Sequence, residues 1–358
     1  MKCRNTQTGQ MVAIKKFLES EEDKQVKKIA MREVKMLKML RHDNLVNLLE
    51  VFKRKKKLYL VFEYVDRTLL DDLEKNEYGL EMTMAKEYLW QILSAVEFCH
   101  SRQVIHRDVK PENILVSKEG VVKLCDFGFA RIVANCPEHT DYVATRWYRA
   151  PELLVGDTSY GKPVDVWAIG CLYSEMLNAE PLFPGDSDID QMNLIVKCLG
   201  NLTHAHTQVF LRNSLFIGIR LPQPNGSPPQ PITLGAKLPN IPKRSMEFLK
   251  ACLDLDPAGR LTCEELLKHE VFTENSFNQT FPEELKAKIR RNDRANGRDK
   301  EKKRRAQREP QVSNTKASSH TSSSQGGLPD ATGKKSQGTA SQKSSFQLPQ
   351  LGTATFRH

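Results

Sequence analysis

Apolar positions recur along the chain with two periods. Val26, Ile29, Ala30, Val34, Leu37 and Leu40 fall three and four residues apart, the spacing of one helix face, and predict a helix over 23–40. Before it, the short apolar run Met11–Phe17 follows a Thr8-Gly9 turn and predicts a strand. Two apolar stretches, 45–52 and 58–65, flank basic residues 53–57. That predicts a hairpin with a solvated tip in preference to a nucleic-acid patch. From Leu69 the period turns helical. Tyr88, Leu89, Ile92, Leu93, Val96 and Phe98 form a broad apolar face, predicting a core helix over 84–100. Short strands are expected at Ile114–Val116 and 121–124, and further helices at 165–178 and 246–253. Pro and Gly crowd 221–242, which reads as an irregular insert. A basic helix over 283–307 is weakened by Gly297. After Pro310 hardly any apolar residue remains, so too little surface can be buried to offset the entropy of ordering.

Charge divides the chain the same way. The 358 residues hold 54 Lys and Arg against 44 Asp and Glu, a net +10. Residues 285–358 alone hold 17 against 5, leaving 37 against 39 in 1–284. The basic character therefore belongs to a tail, and a near-neutral body precedes it. This removes the main argument for a nucleic-acid-binding fold. No window carries the roughly 18 apolar residues of a membrane helix, and no signal core follows Met1. The eight cysteines are scattered without a C-x-x-C pair, which disfavours zinc and disulfides and suits free thiols in a reducing compartment.

The chemistry-bearing residues are few and ordered. Val12-Ala13-Ile14-Lys15 puts a lysine on a strand, and Glu33 lies on the following helix. His106-Arg107-Asp108 is followed five residues after the aspartate by Asn113, then by Asp126-Phe127-Gly128 and Ala150-Pro151-Glu152. Each is weak alone. In this order and spacing they resemble the signature set of protein kinases.

The resemblance implies an α+β, two-lobed kinase fold with a small β-rich lobe carrying one helix and a large, mostly helical lobe. It implies boundaries of 1–66 for the small lobe and 67–284 for the large one, with 285–358 a disordered basic tail. It also implies transfer of the ATP γ-phosphate to protein Ser or Thr with Mg²⁺. Lys15 would hold the α- and β-phosphates, with Glu33 keeping it aimed. Asn113 and Asp126 would hold Mg²⁺, Asp108 would orient the substrate hydroxyl, and Lys110 would balance charge on the moving phosphoryl group. Lys110 and Thr145 stand where Ser/Thr kinases have them. Phe62 would be the gatekeeper, with Glu63 to Val65 the backbone that bonds adenine. Cys125 borders the nucleotide as a packing residue. His106 would pack beneath Asp126-Phe127-Gly128, Asp165 and Trp167 would hold the catalytic loop, and Glu152 would pair with Arg260.

The resemblance narrows further. Lys28-Ile29-Ala30-Met31-Arg32-Glu33 looks like the cyclin-contacting helix of cyclin-dependent kinases, and Thr140-Asp141-Tyr142 looks like the T-x-Y segment of mitogen-activated protein kinases. A chain with both resembles the cyclin-dependent kinase-like family. Thr140 and Tyr142 would then be switch sites for an upstream kinase, with Arg32, Arg107 and Arg131 gathered against the added phosphate. Arg149 would shape a pocket linked to proline-directed substrates. Partners are expected to be protein substrates, with cyclin dependence open and neither membrane nor nucleic acid involved. The location is expected to be cytoplasmic or nuclear, and Lys302-Lys303-Arg304-Arg305 reads as an import signal or as solvated tail. Lys15 lies fourteen residues after Met1 with Gly9 the sole glycine before it. The first strand, the Gly-rich loop and part of the second strand are thus expected to be missing, and activity low. The alternative is a non-catalytic interaction scaffold.

Overall fold

The computed structural model describes residues 1–6, 8–17, 24–55, 57–133, 146–221 and 233–295, without the side chains of 24–29, 32 and 295. Four strands form the small lobe's antiparallel sheet: β1 (Lys2–Arg4), β2 (Met11–Phe17), β3 (Leu48–Arg54) and β4 (Lys57–Glu63), in the order β1-β2-β4-β3. Helix α1 (Lys24–Met39) follows β2. On β2 the two-residue period puts Ala13, Lys15 and Phe17 on one face, where Ala13 and Phe17 pack on the core.

Strand β1 departs from the sequence reading, which began the sheet at Met11. Lys2 pairs with Ala13 and Arg4 with Met11. Its exposed, half-buried, exposed alternation shows why apolar patterning missed it. Two of its three side chains are cations, as suits a sheet edge.

The large lobe is built on two helices. After β5 (Arg67–Thr68) and α2 (Leu69–Leu73) comes α3 (Met82–Ser101). It starts two residues before the expected Met84 because Glu81 caps it, accepting from the backbone N–H of Thr83 and Met84. Then come β6 (Val104–Ile105), β7 (Ile114–Val116), β8 (Val122–Leu124), β9 (Arg131–Ile132) and α4 (Pro151–Leu154). Helix α5 (Pro163–Asn178) begins on its proline, whose missing N–H a first turn does not need. Every residue from Val164 to Met176 is buried, so α5 is the axis of the lobe and carries no polar stripe. Around it run α6 (Asp188–Leu199), α7 (His204–Arg212), α8 (Leu234–Lys237), α9 (Lys243–Cys252), α10 (Cys263–Leu266), α11 (Glu270–Thr273) and α12 (Phe277–Ala295).

Two further expectations change. Within the 221–242 insert, Thr233 caps the short helix α8 and Leu234 is buried, so its end is regular. Disorder from 285 does not hold for 285–295, which lie in α12. Phe277 and Phe281 stack at 4.7 Å, Phe277 meets Trp90 of α3, and Leu285 is buried. These contacts hold the helix across Pro282 and across the expected boundary. Residues 296–358, with the Lys302–Arg305 cluster, lie outside the described residues, as do Thr140, Tyr142 and Thr145. Among the described residues no helix is long and apolar enough to cross a membrane.

Candidate active site

Short strand pairs position the two acidic loops. Strands β6 and β9 pair, as do β7 and β8. Asp108 therefore leaves the end of β6, and Asp126 the end of β8.

Both loops carry strained backbone. Arg107 has φ 68° and Asp126 φ 60°, a region costing non-glycine residues about 1–3 kcal/mol. Asp165 of α5 holds the first. Its carboxylate accepts from His106 N at 2.9 Å, Arg107 N at 2.7 Å and His100 Nε2 at 2.8 Å. Burial would raise its pKa, but the hydrogen bond and charge of His100 hold it below the ordinary value. In the second loop Asp126 Oδ1 accepts from Gly128 N at 3.2 Å. His106 Nε2 donates to Cys125 O at 3.0 Å, and its ring meets that of Phe127 edge-on at 4.9 Å. Phe127 is fully buried.

Lys15 joins the lobes. Its Nζ lies 3.0 Å from both Glu33 oxygens and 2.9 Å from Asp126 Oδ1. Burial alone would lower the lysine's pKa, but Glu33 and Asp126 outweigh it and hold the group above its usual value. Burial, opposed by Lys15, leaves Glu33 above its ordinary value. Burial would raise Asp126, yet the Lys15 charge draws it down, so it is ionised. Across the cleft Asn113 Nδ2 donates to Asp108 Oδ2 at 2.6 Å, and Lys110 Nζ stands 3.3 Å from Asp108 Oδ1. The structure thus brings together Lys15, Glu33 and Asp126, and separately Asp108, Lys110 and Asn113.

The other candidate residues are spread over both lobes. Phe62 is buried opposite Ala13 and Leu48. Glu63 ends β4 with a buried side chain, and Val65 is half-buried in the connection to β5. Burial pushes the Cys125 thiol up to about 12, so it is protonated and a poor nucleophile. Of the three arginines, Arg107 Nε donates to Phe129 O at 2.7 Å, and Arg131 is buried in β9 opposite Ile105. Arg32 lies on α1 with its side chain outside the described residues. Arg149 and Tyr148 border a small cavity beside Asp108. Asp188 accepts from Arg146 at 3.1 Å and Arg149 at 3.5 Å. Arg260 grips Glu152 at 2.7 and 2.9 Å inside the large lobe.

Sequence reading missed three polar residues around this site. Lys123 is buried in β8 against Glu63, Asn47 bonds the same carboxylate, and Glu175 accepts from Tyr148. A lysine inside the apolar run Val121-Val122-Lys123-Leu124 is the signal that could have exposed the first.

Residues 1–272 match the family described as protein kinase domain. The chain belongs to that family, in its cyclin-dependent kinase-like branch. It is 59% identical over 295 residues to Cyclin-dependent kinase-like 2 of Oryctolagus cuniculus, covering 82% of this chain and 51% of that protein. To Cyclin-dependent kinase-like 2 of Homo sapiens it is 58% identical over 295 residues, 82% of this chain and 59% of the relative. To Cyclin-dependent kinase-like 4 of Mus musculus it is 52% identical over 297 residues, 83% and 84% of the two chains. The chain thus spans between half and three fifths of the length of these Cyclin-dependent kinase-like 2 relatives.

Proposed function

We propose that this chain is the catalytic domain of a serine/threonine protein kinase that moves the γ-phosphate of ATP to a protein hydroxyl. The observation that carries the reading is Lys15 held between Glu33 and Asp126 at 2.9–3.0 Å. A lysine so placed has its charge secured and its position fixed from two sides.

The residues present suit ATP with Mg²⁺. The Asp126 side chain is 35% exposed and ionised, and with the Asn113 amide it offers the hard oxygen donors that Mg²⁺ prefers. Bound Mg²⁺ would neutralise phosphate charge. Lys15 would hold phosphate oxygens, and Glu33 would keep Lys15 from folding away. Asp108, oriented by Asn113, would accept the hydrogen bond of the substrate hydroxyl and aim it. Lys110, beside Asp108, would meet the charge that develops on transfer.

The finer reading is a proline-directed kinase switched by phosphorylation of Thr140 and Tyr142 by an upstream kinase. Arg107 near Phe129, and Arg149 beside Asp108, support it by position. The test is radiolabelled phosphate transfer to matched Ser-Pro and Ser-Ala peptides. Asp108→Asn is expected to cut the rate about 10²–10⁴-fold, with Ser-Pro the better substrate. Equal rates for wild type and Asp108→Asn would overturn the reading and favour the scaffold, and equal peptides would overturn proline direction alone.

A further inference from the structure

Lys123 is a buried cation in a strand otherwise made of apolar residues. Its side chain is 5% exposed, and that of its partner Glu63 is 0% exposed. Nζ donates to Asp43 O at 2.7 Å and stands 3.2 Å from Glu63 Oε1. The same oxygen accepts from Asn47 N at 2.7 Å and Asn47 Nδ2 at 2.8 Å, and Glu63 N donates to Asn47 O at 3.1 Å. One carboxylate at the end of β4 is therefore gripped by β8 and by the segment that links α1 to β3.

That segment is itself fastened to β8. Leu124 N donates to Asn44 O at 2.9 Å and Val46 N to Leu124 O at 3.0 Å. Asn44 Nδ2 donates to Val122 O at 2.9 Å and to Gln91 Oε1 at 3.1 Å.

Apolar residues of equal volume would often stabilise such a site as well as an ion pair does. What the pair adds is direction, because a hydrogen-bonded ion pair restricts how the end of β4 sits relative to β8. Asp126 lies three residues after Lys123, and the adenine-facing backbone of the proposed function begins at Glu63. We infer that Lys123 is a positioning residue for the nucleotide: through Glu63 it sets where the adenine-binding stretch 63–65 lies relative to Asp126. This rests on the kinase reading above. A misplacement of about 1 Å between groups holding one ligand can cost about 100-fold.

Lys123→Met keeps most of the side chain's volume and removes its charge. The ATP KM is expected to rise about tenfold, with kcat and the peptide KM within about twofold of wild type. Lys123→Met combined with Glu63→Gln replaces the broken pair by two neutral groups, and its ATP KM should return to within about threefold of wild type. Phe210→Leu, a core change in the large lobe, serves as the stability control and should lower Tm without moving the ATP KM.

If Lys123→Met does not accumulate as folded protein, Asn47→Ala decides. It removes one donor to Glu63 and should raise the ATP KM about threefold. An unchanged ATP KM in the variants, or a higher kcat at constant ATP KM, overturns the positioning role. Absence of any wild-type transfer that Asp108→Asn abolishes overturns the kinase reading itself, and the inference with it.

Discussion

Glu175 lies in α5 with its carboxylate buried, accepting from the Tyr148 hydroxyl at 2.6 Å. Burial raises its pKa from 4.5 to about 7, against the Tyr148 hydrogen bond and with added repulsion from Glu112. A carboxyl raised in this way holds its proton more tightly folded than unfolded. Stability from this group is present below about 4.5 and is lost as pH rises toward 7, by up to about 1.4 kcal/mol per pH unit. Glu175→Gln keeps an oxygen to accept from Tyr148 and removes the titration. Its Tm should gain on wild type between pH 5 and 8, and a difference constant across that range would refute the assignment. Tyr148 borders the cavity beside Asp108, so the same proton bears on the floor of the proposed substrate site. Lys15 is the opposite case, since its two carboxylates secure a charge that burial would remove.

At the scale of elements, α12 yields the next prediction. Its Phe277 meets Trp90 of α3, Phe281 and Leu285 are buried, and Lys288 pairs with Glu87 of α3. A chain cut after 284 loses Leu285 and Lys288, while one cut after 295 keeps both. The shorter chain should melt lower by about 2 kcal/mol of stability, the value of one large apolar side chain. Equal melting would mean that α12 ends its useful packing before Leu285. The same helix shows where sequence was legible and where it was not. Strand β2 matched its expected limits, because its own apolar run states them. Helices α3 and α5 were found by content but entered late, since Glu81 caps the one and Pro163 opens the first turn of the other, neither acting through periodicity. Helix α12 and strand β1 were misread because their order comes from distant partners, Trp90 and Ala13. The candidate active-site residues were legible because the phosphoryl transfer proposed for them would demand particular side chains at particular spacings. Lys123 and Asn47 escaped because they touch Glu63 from another strand and from the segment linking α1 to β3, relations that no local pattern records.

Over the whole molecule, Lys15, Glu33 and Asp126 join the small lobe to the large one, and segment 43–47 joins them again at β8. Ligand that fits between the lobes should therefore stabilise both. At 100 times its Kd, ATP with Mg²⁺ is expected to add about 2.7 kcal/mol, read as a rise in Tm. Asp126→Ala should lose most of that rise, and an equal rise in the variant would remove Asp126 from the nucleotide site. The buried Phe127 ring has a further consequence, for small-molecule selectivity. It is sealed against His106, and its short turn lies against α1. A compound that binds only after displacing this ring must first expose it, at about 1.5–3 kcal/mol. Its apparent affinity would fall by about 10–100-fold below its intrinsic value. Compounds that leave Phe127 in place meet no such barrier, so the ring filters which inhibitor shapes this cleft accepts.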